Sequence, residues 1–447
     1  MSAAKPALYE ELTLESNDQE RTVDLKLGTV SVDYYEDIFS PSITAKVRVI
    51  NTGDSISPKD STDSKKTDGA KQSIYNGLPL RGGERLILKI LDQGKGFGGK
   101  EKKGIDFSSD PSKYLYVSSI TDVISQTQKE TFLLNLVSRE AITNETTRVY
   151  KKYPTSATID NSVKSILKNT LQTERLGTIE KAENKYGFMG NLRKPFSTLV
   201  WLASKAVPAS SAGSTAGFVF YQNQDGFQFR SIEGLIKQES KATYSYTEVN
   251  MSSIDRNNDF NILKYNVDRN QKLVENLRLG AYASQGLFFN PLNFSVSVPI
   301  FKMKDKKDGI ENLGNDIEFP KISDNSGKKL DDLPSRVVSS VVDVGTVEVG
   351  VSTDINADPT QHQSQSLTRY NLLLTQSLSM TVPCNTDLRA GDVITCEFPK
   401  ISSADSEELD SDTSGKYIIK ELCHHFDPRN SYTSMKLIRD TFGFYGK

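Results

Sequence analysis

Through the first third of this chain apolar and polar residues alternate in short runs, the period-two signature of strands buried on one face. In SITAKVRVI, Ile43, Ala45, Val47 and Val49 share a face. RTVDLKLGTVSVDYYEDIF precedes it, and ERLILKILD (84–92), YLYVSSITDVIS and KETFLLNLVSRE follow, with turn signals between them. This run predicts a first antiparallel β-barrel with an N-terminal arm over 1–148.

The period then changes to that of a helix. In TIDNSVKSILKNTL, Ile159, Val163, Ile166, Leu167 and Thr170 recur on one stripe, with Asp160 as the expected cap. A second helix is expected from Pro195 through FSTLVWLASKAV, burying Phe196, Leu199, Val200, Ala203 and Ala206. FVFYQNQDGFQFRS reads as a hairpin turning near Asp225-Gly226. The stretch 149–265 is therefore an α/β unit between β-rich parts. Strands return at 266–300 as the start of a second barrel. A polar insertion covers 301–367, with a short helix near LTRYNLLLTQ, and 368–447 completes the barrel. The fold class is mainly β with an α/β insert: two related antiparallel β-barrel domains plus intervening material.

That the two barrels are related follows from an internal repeat. LRGGERLILKI (80–90) aligns without gaps to LRAGDVITCEF (388–398), placing Leu80, Gly83 and Glu84 opposite Leu388, Gly391 and Asp392. Each reads as a tight turn ending in Gly, an acidic residue and a strand, which makes these six residues the expected architectural turns. Tyr116 to Leu136 matches Tyr417 to Leu437, and Phe39-Ser-Pro41 weakly echoes Phe289-Asn-Pro291. The loop after the first turn and strand is basic (Lys95, Lys100, Lys102, Lys103). Its counterpart is acidic (Asp405, Glu407, Glu408, Asp410, Asp412). Either these are solvated loops with drifting charge, or the copies alternate around a ring and opposite charges meet between subunits.

Composition removes several classes of function. Lys plus Arg is 55 and Asp plus Glu 57, a net charge of −2, which argues against a nucleic-acid coat or a polybasic membrane binder. Three histidines and three cysteines leave little for Cys/His zinc modules or a disulfide scaffold. Cys384, Cys396 and Cys423 have no C-x-x-C spacing and are expected reduced, as small hydrophobes in strands. No basic-then-apolar leader opens the sequence, and no apolar run reaches the ~20 residues of a membrane span. No membrane anchor is expected.

Segments that imitate chemistry fail on context. GKGFGGKE (94–101) holds both a G-x-G-x-x-G and a G-x4-G-K spacing, but Glu101 stands where a P-loop needs Ser or Thr and no helix follows. His424 and His425 are adjacent in an expected strand, so they point to opposite faces and do not chelate one metal. His362 sits alone in QHQSQS, and Trp201 reads as a packing residue of its helix. No G-x-S-x-G or H-E-x-x-H occurs. Catalytic, cofactor and metal residues are expected to be absent; a carboxylate pair, which needs no local motif, stays open.

EDIFSPSITAKVRVINT, GLPLRGGERLIL, KPFSTLVWLASKAV with GFVFYQNQDGFQFRSIEGL, and LRAGDVITCEFPK with SGKYIIKELCHHFDPRNSYTSMKLIRDTFG resemble baseplate hub proteins of contractile-tailed phages, of the T-even type. The resemblance runs in order from about residue 20 to 442 and is weakest in the polar stretches 52–73, 302–335 and 402–413. It implies two tail-tube-like barrels per chain and a homotrimer whose six barrels imitate sixfold symmetry. Such a ring joins a hexameric tail tube to a trimeric spike or tail lysozyme protein. It also implies contacts with tube or tube-initiator proteins, the tape-measure end and baseplate wedge proteins, passage of DNA without specific binding, and a place in the virion. The rival readings are the hub part of a secretion spike, a tail-associated cell-wall hydrolase and a carbohydrate-binding module.

Overall fold

The computed structural model describes residues 6–52, 73–78, 80–92, 101–209, 215–246, 259–269, 272–317, 319–343, 356, 359–400 and 409–443. The first part of the chain supplies β1 (Leu8–Glu15), β2 (Thr22–Asp24), β3 (Thr29–Asp37), β4 (Thr44–Asn51), a short helix α1 (Ile74–Gly77), β5 (Arg85–Leu91), β6 (Ile105–Asp106), β7 (Leu115–Gln126) and β8 (Lys129–Ser138). Strands β3, β4, β8, β7 and β5 bond in that order, every neighbour antiparallel. β1 extends the sheet beyond β5. The alternation read from the sequence is realised along β4, where Ala45, Val47 and Val49 are buried with Val32, Tyr34, Leu88, Leu134 and Leu136.

The middle part holds α2 (Arg139–Thr146), β9 (Lys152–Tyr153), α3 (Ile159–Asn169), β10 (Leu176–Ile179), β11 (Phe188–Met189), α4 (Pro195–Ala203), β12 (Phe218–Asn223), β13 (Gly226–Ser231) and α5 (Ile232–Ile236). Helix α3 buries Ile159, Val163, Ile166 and Leu167, but its N-cap is Thr158, not Asp160. Asp160 sits one residue inside the helix, pairs Lys164 at 3.2 Å and accepts from the Ala182 amide. Helix α4 starts at Pro195 as expected. Its stripe is rotated from the expected one, with Leu202 in the core and Val200 47% exposed. The β12–β13 hairpin closes between Asn223 and Gly226, whose φ of +125° suits glycine.

The remainder supplies β14 (Thr243–Ser245), β15 (Lys264–Arg269), α6 (Leu273–Leu279), β16 (Ala283–Asn290), β17 (Ser295–Ser297), β18 (Ile300–Lys302), β19 (Arg336–Val341), α7 (Pro359–Leu373), β20 (Gln376–Pro383), β21 (Val393–Glu397), β22 (Gly415–Phe426) and β23 (Ser431–Arg439). Strands β15, β20, β23, β22 and β21 repeat the order β3, β4, β8, β7, β5, again antiparallel throughout. β22 also pairs with β3, so both sets fuse into one 14-stranded sheet.

Three expectations change here. The antiparallel, mainly β class stands, but the strands do not close into two barrels, because β22 and β3 join the copies edge to edge. The segment 266–300 is split: β15 enters the large sheet, whereas β16 and β17 lie in a separate four-stranded sheet with β18 and β19. The echo between Phe39 and Phe289 is therefore accidental, since Phe289 belongs to that separate sheet and Phe39 follows β3.

The large sheet has two unlike rims. Asp37, Thr44, Ser138, Gln376 and Arg269 end or begin their strands at one rim, as their cross-strand partners require. The middle part leaves from Ser138 and the four-stranded sheet from Arg269, so both hang from that rim. The opposite rim carries the β7–β8 and β22–β23 hairpin turns.

Candidate functional site

The duplicated turns share their backbone conformation and three of their hydrogen bonds; they part at the middle residue, where the Gly82 amide donates to Glu84 and the Ala390 amide to Glu36. Gly83 has φ +92° and Gly391 +90°. The Gly83 amide donates to the Val117 carbonyl at 2.7 Å, and the Val117 amide returns a bond to Glu84 at 2.9 Å. The Gly391 amide donates to Ile419 at 2.8 Å, and the Ile419 amide returns to Asp392 at 2.9 Å. The acidic side chains bond back into their turns: Glu84 accepts from the Arg81 amide at 2.6 Å, and Asp392 from the Arg389 amide at 2.7 Å. Leu80 and Leu388 are buried beside them. Both following hairpins then slip register at the same place, between Val117 and Ser119 and between Ile419 and Glu421. A shared β-bulge is a built feature of a strand pair and marks true correspondence. It also corrects the alignment, because Val117 answers to Ile419 and so Leu115, not Tyr116, answers to Tyr417.

The two turns differ in what surrounds them. Gly83 lies beside Asn17 at the surface, whereas Gly391 is covered by Tyr221 of the middle part. Burial raises the Asp392 carboxyl above its ordinary range, opposed by Lys241 at 2.8 Å.

Glu36 of β3, unmarked in the sequence reading, ties the copies together. Its carboxylate accepts from the Tyr34 hydroxyl (2.8 Å), the Gln224 amide (2.7 Å) and the Ala390 amide (2.8 Å), reaching three parts of the chain. Burial raises its carboxyl, and the nearby Arg389 guanidinium opposes that rise. The signal was present, since Glu36 falls in phase with buried Val32 and Tyr34. An acid on the apolar face of a strand needs partners.

Of the basic loop, Lys102 and Lys103 lie among the described residues; Lys95 and Lys100 do not. Lys102 is withdrawn from any intersubunit role: its side chain is 2% exposed, pairs Asp92 at 3.4 Å and Asp259 at 3.9 Å, and donates to the Cys384 carbonyl. The Lys103 amide donates to Asp387 at 3.2 Å while its side chain stays exposed. Both lysines therefore face the second copy's turn within one chain. Asp405, Glu407 and Glu408 lie outside the described residues, as does Gly94–Gly99. Asp410 accepts from the Asp412 amide and the Thr413 hydroxyl, and the Asp412 carbonyl accepts from Arg439. No ion pair links Asp410 to Lys102 or Lys103 among the described residues.

The adjacent histidines point to opposite faces. His424 is buried, bonded through Nδ1 to Thr433 Oγ1 at 2.9 Å, and burial lowers its pKa to about 3. His425 lies on the other face at the β22–β3 seam, 2.5 Å from Asp33 Oδ1 and 3.5 Å from Asp427 Oδ2, and the Asp33 bond raises its pKa. Cys384 and Cys396 are buried and Cys423 half-buried, all free, with burial pushing the Cys423 thiol up to about 12. Among the described residues no cluster of three His, Cys, Asp or Glu side chains is arranged to hold a metal.

Two strand edges stand out. β22 pairs with β21 through its first residues and with β3 through Glu421–Phe426. In its counterpart β7, residues 115–116 pair with β5, but along 119–126 no described strand lies opposite the β8 side. β15, the counterpart of β3, has β20 on one side and no described strand on the other.

No family model matches the sequence. The chain is 21% identical over 312 residues to a probable baseplate hub protein, gp334, of Vibrio phage KVP40, covering 66% of this chain and 67% of that one. Its fold is similar to a tail protein from Neisseria meningitidis MC58, with a TM-score of 0.53 at 11% identity over 98% of this chain and 100% of the other. It is also similar to the 43 kDa tail protein of prophage MuSo2 from Shewanella oneidensis, with a TM-score of 0.50 at 9% identity over 97% and 100%. The chain thus resembles a phage baseplate hub protein in sequence and has the fold of phage tail proteins.

Proposed function

We propose that the chain is a non-enzymatic structural hub of a contractile-tail baseplate, three copies of which form a ring with pseudo-sixfold symmetry. The observation that carries this reading is the pair of open edges. Within one chain, the second copy's β22 pairs with the first copy's β3. Repeating that junction between chains joins 119–126 of β7 to β15 of the next copy, and six sheet copies from three chains close the ring. An open edge otherwise invites uncontrolled pairing, and closure removes it.

Such a ring matches a hexameric tube at one end and a trimeric spike, such as a tail lysozyme protein, at the other. The two unlike rims support opposite partners for the two ends. Tube-initiator, tape-measure and wedge proteins are the further partners, and the bore passes DNA without holding it, in keeping with a net charge of −2. The place of action is the tail baseplate of the virion. The six turn residues Leu80, Gly83, Glu84, Leu388, Gly391 and Asp392 hold the strands that present the edges.

Sedimentation equilibrium of the full chain tests the ring. A trimer mass is expected, and Val123→Lys with Ile124→Lys, which places charge on the exposed edge of β7, reduces it to monomer. A wild-type monomer at ten micromolar, or cleavage of peptidoglycan by the chain, overturns the proposal.

A further inference from the structure

Among the described residues, nothing covers one face of the four-stranded sheet. Its register places Phe289 opposite Val296 and Val341, Leu287 opposite Ser339, and Gln285 opposite Ile300 and Val337, all on one face because side chains alternate. Leu287, Val296, Ile300, Val337 and Val341 are 41, 55, 54, 62 and 64% exposed, and no charged residue falls among these positions. Together these five expose roughly 450 Å², as large as the main apolar patch of a typical monomer and about half of one side of a standard interface. A sheet with one bare apolar face lacks its second layer.

The other face of the same sheet is spoken for. Ser340 Oγ donates to Gln363 Oε1 of α7 at 3.1 Å, and Val338, Ser340 and, at the strand end, Val341 line a cleft of about 520 Å³ with Trp201 and Lys205 of the middle part. Just past β19, Asp343 accepts from the Tyr186 hydroxyl at 2.9 Å. The sheet therefore turns its inner face to its own middle part and its bare face away from it.

From this we infer that the bare face docks on the middle part of the next copy in the ring. The inference rests on the trimer reading. Both units hang from one rim of the large sheet, so around a ring they alternate, and the bare face of each sheet confronts the following copy. The middle part offers exposed apolar side chains of its own, set among the exposed cations Lys151, Lys152 and Arg193: Tyr150, Met189 and Leu192 are 77, 49 and 66% exposed. The β9–β11 pairing and the Val149–Arg193 bridge gather them. The contact is heterologous, one patch against a different patch, as a threefold ring requires.

The test mixes full-length Val337→Cys chains with full-length Leu192→Cys chains and treats them with a short bismaleimide; the three native cysteines are controlled by wild-type chains. A covalent dimer that appears only in the mixture is expected. Separately, Val337→Asp with Val341→Asp is expected to raise the trimer dissociation constant at least tenfold with an unchanged thermal midpoint, since both side chains are exposed in the single chain. Trimers that keep their affinity in the Asp variant and give no mixed covalent dimer overturn the docking while leaving the ring intact. A wild-type chain that never leaves the monomer removes the ring, and the docking with it.

Discussion

Gly83 and Gly391 hold the same turn with nearly the same backbone, yet alanine is expected to act very differently at the two. At both, a side chain at φ near +90° strains the backbone by about 1–2 kcal/mol. At Gly83 the added methyl meets only the end of Asn17, at 2.9 Å, and that side chain swings aside. At Gly391 it lies 2.2 Å from the Tyr221 hydroxyl and 3.0 Å from the ring carbon bearing it, in a site where Tyr221 is fully enclosed. Overpacking of this kind adds about 1–3 kcal/mol. Gly391→Ala is therefore expected to lower the urea midpoint, followed by far-ultraviolet circular dichroism, two to three times as far as Gly83→Ala. Tyr221→Phe deletes the nearest atom, so the Gly391→Ala/Tyr221→Phe pair recovers about 1–2 kcal/mol relative to additivity. Equal losses at the two glycines, or strict additivity of the pair, would refute the steric account.

Two further expectations follow from buried charge. Lys102→Met leaves Asp92 without its buried cation, and destabilisation of about 3–5 kcal/mol is expected, with Lys102→Met/Asp92→Asn recovering part of it in the same denaturation assay. The adjacent histidines set opposite limbs of a pH profile. His425, raised by Asp33, contributes stability in full below the unfolded value of about 6.5 and loses it as pH rises through the folded value. His424, lowered to about 3, stays neutral in the fold, so its contribution fades as pH falls below about 6.5 and the unfolded chain takes up the proton. Stability measured from pH 5.5 to 8 is expected to peak near 6.5. Asp33→Asn should flatten the alkaline limb alone, and a profile without a maximum sinks the assignment.

What the sequence made legible was local. Period-two alternation located β4, β5 and β8, the 3.6 period located α3 and α4, and the glycine-acid turns announced the repeat. The edge-to-edge fusion that replaces two closed barrels was not legible, because the β22–β3 pairing joins residues almost 400 positions apart and no local pattern encodes it. The one-residue error at Tyr116 has the same origin: a bulge shifts phase without changing composition. Lys102 looked like a loop charge because its neighbours are glycines and lysines, yet its partners Asp92 and Asp259 are assembled only by the fold. Val200 and Leu202 exchanged places because a stripe on a mostly apolar helix has no sharp edge.

The fusion of the two sheet copies through β22 and β3 has a consequence for supply. Two separate proteins forming an alternating ring would have to be made in equal amounts and sorted, and either in excess would build defective rings. One chain that carries both fixes their ratio at synthesis, and in the ring proposed above no two like copies can meet within a chain. The two copies are then free to differ: the turn around Gly391 has a close-fitting cover from the middle part and the turn around Gly83 an open one, and neither difference disturbs the count.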